Sequence, residues 1–250
     1  MKHQQEVRLR GIPHEERILT FFYPAFVGTF GEVASEIDAE KLKRPTAGES
    51  VSLAYDYLVR CQDFLDNQKS PNDYKGEREI TEIIEEIVVD YWMWGYTGRL
   101  WVPKSAHELS DGVFFEDNPQ VAGDRIIMNI ENLIKKLEDS SFNQDGVLFS
   151  KDKKVRFVRF GFKTDLQTSD ELAKNPYKVG EYGSLECAEK LAEIDSVIPF
   201  EYVVPFNIAR IGDVREYLKQ GEPEISKIGC LGAVDCEGMV GRCGHAFGLI

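Results

Sequence analysis

The chain has 250 residues, of which 42% are hydrophobic and 29% charged, and a formal net charge of −13. That length can bury a substantial core without disulfides, and no apolar run approaches the roughly 20 residues of a membrane-spanning helix. The acidic balance opposes general attraction to nucleic-acid phosphates and to anionic membrane surfaces, so neither is an expected partner.

The opening MKHQQEVRLRGIPHEER is polar and lacks the apolar core of a secretory signal, which makes the cytoplasm the expected compartment. Five cysteines, an odd number, fit a reducing compartment better than a disulfide framework. In ILTFFYPAFVGTFGEV, Pro24, Gly28 and Gly31 interrupt any period, so the first forty-odd residues read as short extended pieces.

The first clear helix is expected over 47–66, because Thr46 and Glu49 have capping-box spacing directly after Pro45. A second follows the polar loop DNQKSPNDYKGE. Its stripe, Ile80, Ile83, Ile84, Ile87, Val88 and Tyr91, is the strongest periodic signal in the chain. Continued to Trp94 and closed by Gly95, it would form an antiparallel helical pair with the first.

From Gly98 onward short strands alternate with turns: GRLWVP, GVFFED, RIIMN, GVLFS and VRFVRFGF. Among and after them, helices are expected at NIENLIKKLED with Asn129 as cap, and at TSDELAK, GSLECAEKLAEI and IGDVREYLKQ. The irregular mixture indicates an α+β class: an N-terminal helical pair (helix-rich 46–95) packed with a mixed, mostly antiparallel sheet (98–250), in a single domain. The echo of DGVFF at 111–115 in DGVLF at 145–149 reads as shared turn chemistry.

Three constellations carry candidate chemistry. DYWMWGYTGRLWVP holds all three tryptophans; on a helix running to Trp94, Trp92 and Met93 fall off the inward stripe, which with Trp101 makes them a candidate ligand-binding surface for a protein or a small molecule, against the opposing and favoured expectation that these rings, Trp94 and Trp101 first, are core. The tail GCLGAVDCEGMVGRCGHAFGLI offers thiolate and imidazole ligands. In a hairpin turning at Glu237 and Gly238, Cys230, Cys243 and His245 share a face and suit zinc, while Cys236 stands about 20 Å along the strand from Cys230. The opposing expectation for the tail is a buried strand in which Cys243, His245, Phe247 and Leu249 alternate.

The third constellation, KDKKVRFVRFGFK, interleaves Lys151, Lys153, Lys154, Arg156, Arg159 and Lys163 with Phe157, Phe160 and Phe162. It is expected to be a strand with one buried face and cationic stems on the other, and the nucleic-acid reading of it is disfavoured. Adjacent pairs such as His107 with Glu108, and His14 with Glu15, do not make the H-E-x-x-H pattern. Asp111, Glu116 and Asp117 are expected as turn and edge residues rather than cation ligands, and Gly183-Ser184 as an ordinary helix start. No phosphate-binding or nucleophile-elbow motif is present. The functional expectation is a non-catalytic binding or interaction protein; the alternative is a metal-dependent enzyme using Cys230, Cys243 and His245, with Asp235 or Glu237 as base.

Overall fold

The computed structural model describes residues 7–60, 75–102, 109–163, 167–197, 223–229 and 244–250. Residues 7–28 are extended, as their interrupted pattern predicts: β1 (Val7–Arg8), β2 (Ile12–His14), β3 (Arg17–Leu19), β4 (Phe22–Tyr23) and β5 (Phe26–Gly28). The next segment departs from that expectation. Helix α1 (Phe30–Ala39) starts at a capping box in which the Thr29 hydroxyl accepts from the Glu32 amide and the Glu32 carboxylate accepts from the Thr29 amide. Phe30, Val33, Ala34 and Ile37 form its buried stripe, and Gly31 lies inside the helix instead of breaking it.

Helix α2 (Ala47–Tyr55) begins at Thr46 and Glu49 as their spacing predicts, and runs into a π-helical turn at Asp56–Arg60. Residues 61–66 of the expected helix lie outside the described residues. Helix α3 (Lys75–Asp90) carries the isoleucine stripe, but it stops at Asp90, four residues before Trp94. The chain then turns into an eleven-residue strand, β6 (Trp92–Val102), so Trp92, Met93, Trp94 and Gly95 are strand residues and Gly95 caps no helix. Pairing with neighbouring strands wins over the helical period here.

Beyond it come β7 (Gly112–Asp117), β8 (Gln120–Ala122), β9 (Arg125–Ile127), α4 (Ile130–Leu137), β10 (Val147–Phe149) and β11 (Val155–Arg159). The helices α5 (Ser169–Ala173), α6 (Pro176–Tyr182) and α7 (Leu185–Val197) follow, then β12 (Glu224–Gly229) and β13 (Gly244–Ala246). The helix expected at IGDVREYLKQ falls outside the described residues. Gly112 of the first Asp-Gly pair sits within β7 rather than in a turn, where an added Cβ would lie 2.4 Å from the Val158 carbonyl oxygen.

One seven-stranded sheet organises these elements, in the order β10-β11-β7-β6-β13-β5 with β12 also on β6. All its pairings are antiparallel except β13 with β6. Both β12 and β7 pair with Gly98 and Arg99, and both β12 and β13 pair with Met93. A strand has two edges, so β12 takes one edge of β6 while β13 and β7 divide the other.

Helices cover both faces. On one, Trp92, Trp94, Tyr96, Leu100 and Val102 pack against α1 and α4; on the other, Met93 packs with α2 and α3, and Trp101 with α6. This α+β arrangement therefore differs in one respect from a helical pair on a sheet: the sheet is enclosed between two helical layers.

The register of β6 against β12 jumps from Gly95–Ser226 to Gly98–Ile225, leaving Tyr96 and Thr97 bulged. The N-terminus of α2 docks on that bulge. The Tyr96 amide donates to the Pro45 carbonyl, and the Ala47 amide donates to Thr97 Oγ1 at 3.0 Å. An added Cβ on Gly95 would stand 2.6 Å from Ala47 Cα, so only glycine permits this approach.

Thr97 Oγ1 in turn donates to Asp117 Oδ1 at 2.8 Å, and Asp117 receives both terminal nitrogens of Arg156. Arg156 is 1% exposed, which corrects the expectation of an outward cationic stem on β11. Its remaining N–H groups reach the carbonyls of Gly180, Lys153 and Glu181, so all five donors of the guanidinium are used. Elsewhere in that basic stretch Phe157 is buried, Arg159 lies over the Phe142 ring and Lys163 pairs with Glu171, while Lys151, Lys153 and Lys154 are exposed as expected.

Replacing Arg156 by Met is expected to cost about 3 kcal/mol of unfolding free energy, because it leaves Asp117 and several carbonyls without their donor. Urea denaturation of the two proteins measures it, and a loss below about 1 kcal/mol would show that the guanidinium is not holding these elements together.

Candidate functional site

The three residues expected to form an aromatic ligand surface are all buried: Trp92 is 4%, Met93 1% and Trp101 3% exposed. Trp92 packs with α1, Met93 with α2, and Trp101 is stacked between Phe160 and Tyr177 at centroid distances of 5.7 and 5.6 Å. The platform reading is thus corrected, because the second helical layer covers the rings that a one-sided sheet would have left bare. Of the proposed zinc ligands, Cys230 and Cys243 lie outside the described residues, as does His107. His245 is half-buried on β13, with its ring 5.1 Å from the Tyr91 ring, and burial lowers its pKa below the usual histidine value. Among the described residues no group of three or more His, Cys, Asp or Glu is placed to hold a metal ion.

A groove of about 540 Å³ opens between α4 and the β8–β9 ribbon. Leu133 and Leu137 turn into the core and fix the helix, which leaves Asn129, Asn132, Lys135 and Lys136 along the groove. Gln120 and Ile127, partners in the ribbon register, face them with Glu116 of β7. Three of these groups are already committed. Asn129 caps α4 by accepting from the Asn132 amide at 2.9 Å, and Lys136 Nζ pairs with Glu116 Oε1 at 2.6 Å. The side chains of Gln120, Asn132 and Lys135 have no protein partner among the described residues. Two lysines against one glutamate give the groove a net positive charge inside an acidic protein. Of these residues the sequence singles out Asn129, as a cap, and Glu116, as an edge residue; the spacing of Asn129, Asn132 and Lys136 on one helical side is the readable signal.

A second polar constellation lies under the β2–β3 hairpin. His14 Nδ1 is 2.9 Å from Ser52 Oγ, Lys190 Nζ is 3.2 Å from the same oxygen and from the Pro13 carbonyl, and Cys187 Sγ is 3.8 Å from the imidazole. An ammonium only donates, so the Ser52 oxygen accepts from Lys190, and the same hydroxyl is hydrogen-bonded to His14 Nδ1. Burial lowers the pKa of His14; Glu49 and Glu15 oppose that shift, and Arg17 and Lys190 reinforce it.

The neighbouring Glu49 is fully buried and accepts from Arg17, Lys43 and the Thr46 amide. Burial pushes its carboxyl up, but Lys43 and Thr46, with the charge of Arg17, hold it below the ordinary value. A serine beside an imidazole and an ammonium has the composition of an activated nucleophile. Here, however, Ser52 is fully buried and His14 only 5% exposed, and burial raises the Cys187 thiol to about 11. The constellation fastens the hairpin to α2 and α7 and presents no reacting atom to solvent.

Comparison of the chain with family models, with curated proteins and with solved structures gives no match.

Because the folded protein disfavours protonated His14 and the unfolded chain does not, the unfolded state binds more protons below about pH 6.5, and stability falls as pH drops through that range. His245, depressed for the same reason, adds to the fall. Glu49 acts separately, at a pH below its ordinary carboxylate range. Denaturation curves between pH 7 and 5 are expected to show His14→Gln flattening this slope by up to about 1.4 kcal/mol per pH unit. An unchanged slope would remove His14 from the pH response.

Proposed function

We propose that this is a binding protein and that the groove between α4 and the β8–β9 ribbon receives a small molecule. The observation that supports it is the coincidence of a groove within the size range of small-molecule sites and three polar side chains without protein partners. Its walls come from a helix anchored by Leu133 and Leu137 and from strands, so the site is preformed. A protein partner docking on the aromatic segment has less support, because Trp92 and Met93 are enclosed.

The test is a ¹H–¹⁵N titration of the protein with a panel of small polar fragments. Shifts are expected to cluster on amides of residues 116–136. A panel whose members all bind elsewhere, or nowhere, would remove the groove as a site.

A second reading keeps the metal-dependent alternative, in which Cys230, Cys243 and His245 hold zinc. What supports it is the donor set of the tail, two thiols and the His245 imidazole within sixteen residues. Elemental analysis of native protein is expected, on this reading, to find stoichiometric metal that a Cys243→Ser variant lacks; metal-free native protein would end it.

A further inference from the structure

The chemistry of the groove narrows its ligand, on the reading that the groove is a binding site. We infer that it takes a small organic monoanion, a carboxylate that also carries an amide or hydroxyl and an aliphatic part. The charge argument comes first. Lys136 is neutralised by Glu116 at 2.6 Å, which leaves the ammonium of Lys135 as the one positive group not matched within the groove. An uncharged ligand covering Lys135 would desolvate it without a partner, which is costly. A dianion such as phosphate would meet a single available cation and stand beside the Glu116 carboxylate. One carboxylate balances the site.

The polar and apolar surfaces carry the rest. Asn132 and Gln120 each offer a donor and an acceptor from one planar amide, a set that pairs with an amide or a pair of hydroxyls. The α4 N-terminus adds little, because Asn129 already occupies the Asn132 amide. Ile127 is 48% exposed, and with the methylene stems of the lysines it provides an aliphatic wall on the same groove.

The probes are N-acetyl-L-leucine, its uncharged analogue N-acetyl-L-leucinamide, and inorganic phosphate, each titrated into the full chain and followed by amide chemical shifts. N-acetyl-L-leucine is expected to move amides of residues 116–136, with the leucinamide and phosphate each at least about tenfold weaker. Lys135→Met should weaken the carboxylate about tenfold and, by removing the ammonium that an uncharged ligand desolvates, tighten the leucinamide, whereas Lys151→Met, an exposed lysine away from the groove, should change neither. Equal binding of the leucinamide within the groove would overturn the monoanion assignment and leave the groove standing as a site. Tighter binding of phosphate there would overturn it in favour of a dianion. Silence of the groove amides toward all three probes would overturn the assignment, and the groove itself would fall only if the wider fragment panel were silent as well.

Discussion

Asp117 is the point on which the separate layers of this protein depend. One carboxylate joins Thr97, which seats the N-terminus of α2 on the β6 bulge, to Arg156, whose guanidinium reaches the carbonyls that end α6. From β7, the two carboxylate oxygens thus connect the strands on either side of it, β6 and β11, with helices from distant parts of the chain. Burying an arginine is unfavourable unless every donor is met, and here each is. That requirement restricts where α6 can lie against the sheet more tightly than the apolar contacts around it, which tolerate sliding.

Much of the fold was readable where the signal was local. Thr46 with Glu49, Asn129, and the isoleucine stripe of α3 each placed an element correctly, because capping and amphipathic burial are decided within one or two turns. The errors arose where partners far along the chain decide. Trp92–Gly95 continue a helical period, yet β12 and β13 claim them as strand, and neither partner is visible from positions 92–95. Helix α1 is hidden for another reason: Gly28 and Gly31 interrupt the apolar pattern, and the start signal is the capping pair Thr29 and Glu32 between and beside them.

The site shows the same division. Aromatic density drew attention to Trp92 and Trp101, but a sheet enclosed on both sides consumes such residues as core. Single amides and lysines, Gln120, Asn132 and Lys135, are individually commonplace in sequence and become a constellation only when the ribbon folds over α4. His14 is visible as a histidine beside carboxylates, but its physical partners are Ser52 and Cys187, 38 and 173 positions away; the burial that lowers its pKa is a property of the packed hairpin.

The arrangement of β5, β13 and β6 also bears on biosynthesis. β5 hydrogen-bonds to β13, Phe21 and Lys43 bridge to Leu249, and the Phe22 amide donates to the Gly248 carbonyl, so early segments are completed by residues beyond 243. A nascent chain leaving the ribosome exposes the apolar β4–β5 region while its partner is still untranslated. Until residues 244–249 emerge, that region is an open template for wrong pairings, and the slower their synthesis the longer it stays one.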